Sequence, residues 1–361
     1  MANLTPTNLL LGFSKVNETF QQPEFRTPNT AALSTANLGA IAMTPFSELR
    51  TREDRATWFD FQISKADEGK TERLYNHAGG RMDSERRQVT WGSVVDTFSI
   101  SQKQLDNNSF DFASVFATGI KNSINKNLVK FDDAFIAKLK ADISQINVGG
   151  LGTRGAWDAI DNMFEISAAQ KDYTMALLEA NMGNNDYNSQ LVVLVDNLFY
   201  LDAMKNMNQG AGNYTNLGYQ YAGGRSTLVP TGKLLYDGYE GSAIAFPADL
   251  VGLTTWIPKQ NRKAIDEEKA MTTVNGDVGS ISIPIYGVGG AVVNTLDAAI
   301  SIYTKRADTS ANNGSKQDLL TEVEISWDYA YLSAPLSAAR ATGAFAGKTD
   351  SVVYGFGVKS A

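Results

Sequence analysis

The stretch "DFASVFATGIKNSINKNLVKFDDAFIAKL", Asp111–Leu139, sets large apolar residues at Phe112, Phe116, Ile120, Ile124 and Leu128 in steps of four. After one step of three come Phe131, Phe135 and Leu139. Fours corrected by a three hold one apolar stripe on one face of an α-helix. About 30 residues at ~1.5 Å each make a helix near ~45 Å long. That is awkward inside a compact enzyme domain and suited to stiffening a flat plate. "LDNNS" (Leu105–Ser109) offers N-cap candidates, and Asp111 places negative charge in the first turn. Lys121, Asn125, Lys126, Lys130 and Lys138 fall mostly off the stripe. Adjacent helix positions point roughly 100° apart, so Asp132 and Asp133 do not form a facing acid–base pair, and one or both are expected in salt bridges.

The flanking segments read as limbs. Residues 1–50 are polar, rich in Asn and Thr, and weakly periodic, as in an arm laid across a neighbouring subunit. "ATWFDFQIS" (Ala56–Ser64) and "QVTWGSVVDTFSIS" (Gln88–Ser101) are β-prone, with the charged, glycine-containing Lys65–Arg87 between them. Two strands around a long polar tip make an extended hairpin. A lone two-stranded ribbon is marginal in water, so this one is expected to rest on another chain.

After the helix, "INVGGLGTRG" breaks the pattern and "AWDAIDNMFEISAAQ" resumes helical spacing. "SQLVVLV" (Ser189–Val195) is a continuous apolar strand. It feeds "DNLFYLDAMKNMN", a helix with Asp196 or Asn197 as its cap. A buried strand feeding a helix indicates an α/β layer. Beyond Gly210 the chain turns mostly β: "SISIPIYG" alternates Ile281, Ile283 and Ile285, and Thr321–Leu332 reads as one long strand.

Composition narrows the function classes. The chain has 361 residues, room for two or three domains, with 43% hydrophobic and 20% charged residues. The formal net charge of −7 argues against tight sequence-independent nucleic-acid binding, which needs a basic surface. Zero cysteines exclude disulfides, thiol nucleophiles and thiolate metal sites. "MANLTPTNLLLGF" lacks the basic start and long apolar core of an export signal. No stretch approaches the ~20 apolar residues of a membrane span, so a chain made and kept in a cytoplasm is expected.

Motifs that look chemical fail on context. Gly150, Gly152 and Gly155 in "GLGTRG" match a dinucleotide fingerprint in form, but the end of the long helix precedes them and the next strand comes too late. "GAFAGKT" (Gly343–Thr349) is one residue short of a phosphate loop and too near the C-terminus. "GVGGAV" (Gly287–Val292) reads as a turn between strands. His77 is the only histidine and sits in the polar ribbon tip, without a rigid frame to orient it. "DEEK" (Asp266–Lys269) is too local for a metal cage. No catalytic, cofactor-binding or metal residue is assigned. The basic clusters Arg50/Arg52/Arg55 and Arg81/Arg86/Arg87 bracket the ribbon, either as a solvated face or as salt-bridge donors to acidic patches on neighbouring subunits.

The order of these elements resembles the major capsid proteins of tailed bacteriophages, the Hong Kong 97 fold. Val95–Leu139 carries the resemblance: a returning loop strand runs into a spine helix, and "KFDDAFIAKL" is similar to that helix's ending, an acidic pair before an aromatic. "LVVLVDNLFYLDAMKNM" is similar to the strand and helix that open the family's axial domain. The resemblance implies an α+β fold divided as an N-terminal arm (1–50), an extended loop (51–104), a peripheral domain with the spine helix (105–175), an axial domain with insertions (176–315) and a peripheral return strand with the C-terminal segment (316–361). It implies no enzyme and no cofactor, but a subunit that self-assembles through pentamers and hexamers into an icosahedral head. That head encloses double-stranded DNA without tight specific binding and is assembled in a bacterial cytoplasm. Portal, scaffold and decoration or head–tail proteins are its implied partners, and no membrane. With no heptad region after Met1, either a separate scaffold or none is expected.

Inter-subunit contacts fall in this reading on Arg52, Arg55, Trp58, Lys65, Lys70, Arg81, Arg86, Arg87 and Trp91. Some family members crosslink a ribbon lysine to a neighbour's asparagine. Lys65 and Lys70 lie in the corresponding limb, but no acceptor is identifiable and no crosslink is expected. An encapsulin-type compartment of the same fold and, from another class, a nucleotide-binding enzyme using Gly150–Gly155 stay open as alternatives.

Overall fold

The computed structural model describes residues 10–16, 58–63, 83–101, 105, 111–147, 150–185, 187–203, 225–234, 236–248, 250–257, 276–286, 292–308, 317–335 and 351–360. His77, the 266–269 and 343–349 motifs and most of the 1–50 arm lie outside them. The fold is α+β, in two compact units: residues 1–30, 91–132 and 254–330 in one, and 31–90, 133–253 and 331–361 in the other.

The long helix is present as α1, Phe112–Ala141, 30 residues. All eight stripe residues are buried, from Phe112 to Leu139. Its N-cap is Asp111 rather than a residue of 105–109: the Ser114 backbone N–H donates to Asp111 Oδ1 at 3.0 Å. Lys15, in a short helical stretch at 10–16, donates to Asp111 Oδ2 at 3.0 Å and to Ser114 Oγ at 2.8 Å. The Ser114 hydrogen bond first, and the Lys15 contact second, hold the Asp111 carboxyl below its ordinary value. A carboxyl depressed by folding contributes stability that is present above its unfolded pKa, about 4, and is lost as pH falls through the folded value. The stability difference between wild type and Asp111→Asn is therefore expected to shrink to nothing in acid. Denaturant titrations at a series of pH values from 7 downward check this, and a difference that does not shrink as pH falls refutes it.

In the first unit the sheet runs β10 (Gly276–Tyr286), β11 (Val292–Asp308), β12 (Gln317–Ser333), β3 (Thr90–Ser101), and β9 (Val251–Trp256) also pairs with β12. Along β11 every second residue is inward, with Leu296, Ala298, Ile300 and Ile302 buried. The Phe131 ring packs on Trp327 at 5.9 Å and Tyr329 at 5.1 Å, and Phe116 gathers Phe13, Phe98 and Phe112. Asn127 Nδ2 donates to the Ile325 carbonyl at 3.0 Å, and Ser123 Oγ donates to Asp96 Oδ2 at 2.8 Å. Mid-helix Gly119 makes room for a neighbour: a Cβ there would collide with the Phe98 ring.

The second unit is built on a mixed sheet: β4 (Gly155–Asp158), β5 (Met163–Ile166), β13 (Tyr354–Lys359), β8 (Tyr239–Pro247), β6 (Leu191–Val195), β7 (Ser226–Pro230). Pairs β5–β13 and β6–β7 are parallel. Helices α2 (Thr174–Asn184) and α3 (197–203) cover it, with Leu178, Met182, Phe199 and Ala203 in one core with Val193, Phe164 and Phe356. Three buried side-chain amides, Asn147, Asn181 and Asn185, hydrogen-bond one another at 3.0–3.4 Å. β10 thus pairs with β11, and β11 with β12, in the first unit's sheet, and β13 lies in the sheet of the second.

Two expectations are corrected. "AWDAIDNMFEISAAQ" is not helical: it forms β4, β5 and a 3₁₀ turn at Ala168–Tyr173. Asp158 Oδ1 accepts the Ile160 N–H at 2.7 Å and Asn162 adopts φ 55°, turn chemistry that reverses the chain between the strands. The ribbon's return strand is β2, Asp83–Gln88, inside the stretch read as a polar tip, whereas β3 joins the five-stranded sheet.

Asp196 does cap α3. Its Oδ1 accepts the Phe199 N–H and its Oδ2 the Ser242 N–H, both at 2.7 Å, so one buried carboxylate ties α3 to β8. Asp196→Ala strands two donors and is expected to cost about 2–4 kcal/mol, while Asp196→Asn keeps one acceptor and costs about half as much. Urea unfolding of both variants tests the ranking; equal losses would mean that only one of the bonds matters.

Candidate interaction surface

Among the described strands, β1 (Trp58–Ile63) pairs only with β2, antiparallel, from Trp58↔Gln88 to Ile63↔Asp83. Opposed residues share a face, so Trp58, Gln88, Asp60 and Arg86 lie on one side and Phe59, Arg87, Phe61 and Glu85 on the other. Asp60 faces Arg86 directly. Arg86 Nε donates to Oδ1 at 2.8 Å and Nη2 to Oδ2 at 3.3 Å, a forked pair that holds the Asp60 carboxyl below its usual value. Both groups are exposed, so the pair fixes register more than it stabilises. Arg87 Nε donates to Glu85 Oε1, two residues back on the same face, at 3.0 Å.

Of the ribbon's aromatic side chains, Phe59 and Phe61 are half-buried and Trp58 is exposed. Trp58 is 52% exposed. At the ribbon's root lies a half-open cleft of about 320 Å³, lined by Arg86, Arg87 and Gln88 of β2 and by Asp142, Tyr331 and Ser333. Ser333 Oγ donates to Asp142 Oδ2 at 2.7 Å. Burial first, and the Asp142 charge second, push the fully buried Tyr331 phenol well above its ordinary value, with Arg87 opposing. The Phe135 ring packs edge-on against Tyr331 at 5.8 Å.

Of the nine residues singled out from the sequence, Trp58, Arg86, Arg87 and Trp91 are described, and Arg52, Arg55, Lys65, Lys70 and Arg81 lie outside the described residues. The structure brings Trp58, Arg86 and Arg87 together. Trp91, on β3, instead meets Trp256 edge-to-face at 5.2 Å. Sequence reasoning missed Tyr331, Ser333 and Asp142. Tyr331 stood in the alternation of "DYAYLS", but nothing local ties it to Arg87.

The other sites with apparent chemistry resolve structurally. Gly152 takes φ 66° and leads through a 3₁₀ turn into β4, so a strand stands where a dinucleotide loop needs a helix. Asp133 pairs with Lys233 at 2.8 Å. Tyr239 donates towards Asp161 and Glu165, and Lys359 pairs with Glu165 at 3.0 Å. Among the described residues no cluster of three or more acidic, histidine or cysteine side chains could hold a metal, and no helix is long and apolar enough to cross a membrane.

No family model matches the chain, and no curated protein does. Among solved structures it is similar to a chain of the cyanophage Pam1 capsid asymmetric unit, at 10% identity over 94% of this chain and 97% of that one, with a TM-score of 0.47. It is also similar to a chain of Mycobacterium phage Che8, at 10% identity over 93% of each and TM-score 0.45. A third is from the mature capsid of bacteriophage PhiM1, at 8% over 86% and 83%, TM-score 0.43. Likeness at this level leaves the functional reading to the chain's own geometry.

Proposed function

We propose that this chain is the major capsid protein of a tailed phage, a subunit with a Hong Kong 97-like arrangement that self-assembles into the icosahedral head around packaged double-stranded DNA. The observation that carries the reading is the two-stranded ribbon β1–β2, joined to no other described strand and displaying an exposed Trp58. Such a ribbon is marginal alone and becomes worth its ordering when another copy covers it. The 30-residue α1, buried along its stripe, is the stiff spar that a shell wedge needs.

In this reading α1 and the five-stranded sheet form the peripheral part, the six-stranded sheet with α2 and α3 the axial part, residues 51–104 the extended loop, and 1–50 an arm. The net charge of −7 suits a shell that must hold DNA without gripping it. Arg52, Arg55, Trp58, Lys65, Lys70, Arg81, Arg86, Arg87 and Trp91 are the proposed inter-subunit contacts. Pentamers and hexamers are the assembly units, with portal and decoration proteins as partners in the virion.

Electron microscopy of the purified protein is the test. Closed shells or capsomers are expected; a chain that stays monomeric at high concentration sinks the reading. Nuclease-protected DNA within particles separates a virion shell from a compartment that encloses enzymes.

A further inference from the structure

We infer that the slot between β5 and β8 is a peptide-binding site, which β13 fills as a separable strand and which residues 351–360 supplied on another molecule fill as well. β13 stands between β5 and β8 in the sheet, and no other described strand joins the β4–β5 hairpin to β8, β6 and β7. Both neighbours come earlier in the chain, β5 at Met163–Ile166 and β8 at Tyr239–Pro247. The two halves of the sheet are therefore synthesised before the strand that unites them. In the shell reading, only chains made through Lys359 then present a continuous six-stranded sheet to their neighbours.

The slot selects a sequence as well as a strand. Tyr354, Phe356 and Val358 lie on one face, buried in one core with Phe164, Leu178, Val193 and Ala245. Gly355 and Gly357 alternate with them on the other face, where a Cβ would collide with Met163 Sδ and with the Tyr239 ring. Large side chains fit on one side and none on the other, so a strand slipped by one residue would turn Phe356 onto the glycine face. β5 pairs in parallel, from Gly355↔Met163 to Val358↔Ile166, and β8 antiparallel, from Tyr354↔Ala245 to Lys359↔Tyr239. Both backbone edges of the strand are thereby satisfied, the main-chain recognition by which sheets capture extended peptides. Polar contacts fix its two ends. The Ser144 N–H donates to the Val353 carbonyl at 2.7 Å. Lys359 Nζ donates to the two Glu165 carboxylate oxygens at 3.1 and 3.0 Å, and Ser360 Oγ donates to the Gly238 carbonyl at 3.0 Å. The ligand class is an extended peptide in which aromatic or β-branched residues alternate with glycine and a lysine follows.

The test starts from the full chain with a site-specific protease sequence inserted between Gly347 and Lys348, cleaved there once folded. The cleaved subunit is expected to keep its fragment through size-exclusion chromatography, with an unchanged near-UV circular dichroism spectrum. After the fragment is stripped in urea, a fluorescein-labelled peptide of residues 351–360 should bind the refolded remainder saturably. The same peptide with Phe356→Asp should bind about a hundredfold more weakly or worse, because a carboxylate would enter the core. A fragment that departs on cleavage, a wild-type peptide that fails to bind, or two peptides that bind alike overturns the site. Should the insertion disturb folding or the stripped remainder aggregate, hydrogen exchange of the uncut chain with Phe356→Asp and no insertion decides. Exchange is expected to rise about tenfold or more in β4–β5 and in β8 together, with α1 from Phe112 to Phe131 unchanged. Protection that persists in β4–β5 overturns the site. All these measurements are made on the free subunit, so their failure leaves the shell reading standing.

Discussion

Replacing residues 64–82 by Asn-Gly is expected to yield a subunit that folds as wild type and forms no closed shells. Ile63 and Asp83 are the last described cross-strand pair of the ribbon, so a two-residue type I′ turn can join them without changing the register. The described residues of the α1 stripe and of the six-stranded sheet's core all lie outside that stretch, and the melting temperature is expected to move by no more than a degree or two. The substitution leaves the Asp60–Arg86 pair, Trp58 and the cleft in place, so lost assembly would trace to the reach of the limb and not to its root. Light scattering and micrographs of wild type and variant side by side decide the matter. Normal shells from the shortened ribbon would remove the limb from the assembly mechanism.

What could be read from the sequence divides along a physical line. Where one face of an element is buried, its period was visible: the fours and three of α1, the apolar run of β6, the alternation of β10. Asp196 was legible as a cap because its position before "NLFYL" is set by local backbone geometry. Strand β2 was hidden in "DSERRQ" because it holds no apolar residue, so it carries no apolar alternation of its own. Its pairing rests on Asp60 facing Arg86, a match between residues 26 apart. β4 and β5 misled for a different reason. Trp157, Ile160 and Phe164 imitate a helical three-four spacing, yet Ile160 is 89% exposed at the tip of a turn. For α2, Met175, Leu178 and Met182 did offer a three-four signal, while the buried Asn147–Asn181–Asn185 amides left no local trace. The cleft was least legible, since Arg87 and Tyr331 meet only through tertiary structure.

The same line predicts where α1 is most fragile. Phe131→Ala is expected to destabilise the subunit by about 3–5 kcal/mol, the usual range for emptying a buried aromatic site. Phe131 is 1% exposed and its ring packs against Trp327, the largest fully buried side chain among the described residues, and Tyr329. Both of those residues sit on β12, so the cavity would open between helix and sheet, where neighbouring backbone cannot collapse into it. Val129→Ala, two residues away but on the outer face at 36% exposure, should change stability by no more than about 0.5 kcal/mol. Urea unfolding of the two variants measures the contrast, and the near-UV circular dichroism of Trp327 should weaken in the first variant alone. Equal losses would mean that the spar draws its stability from helix propensity rather than from its buried stripe. In that case the eight-residue pattern from Phe112 to Leu139 would no longer explain why so long a helix holds together.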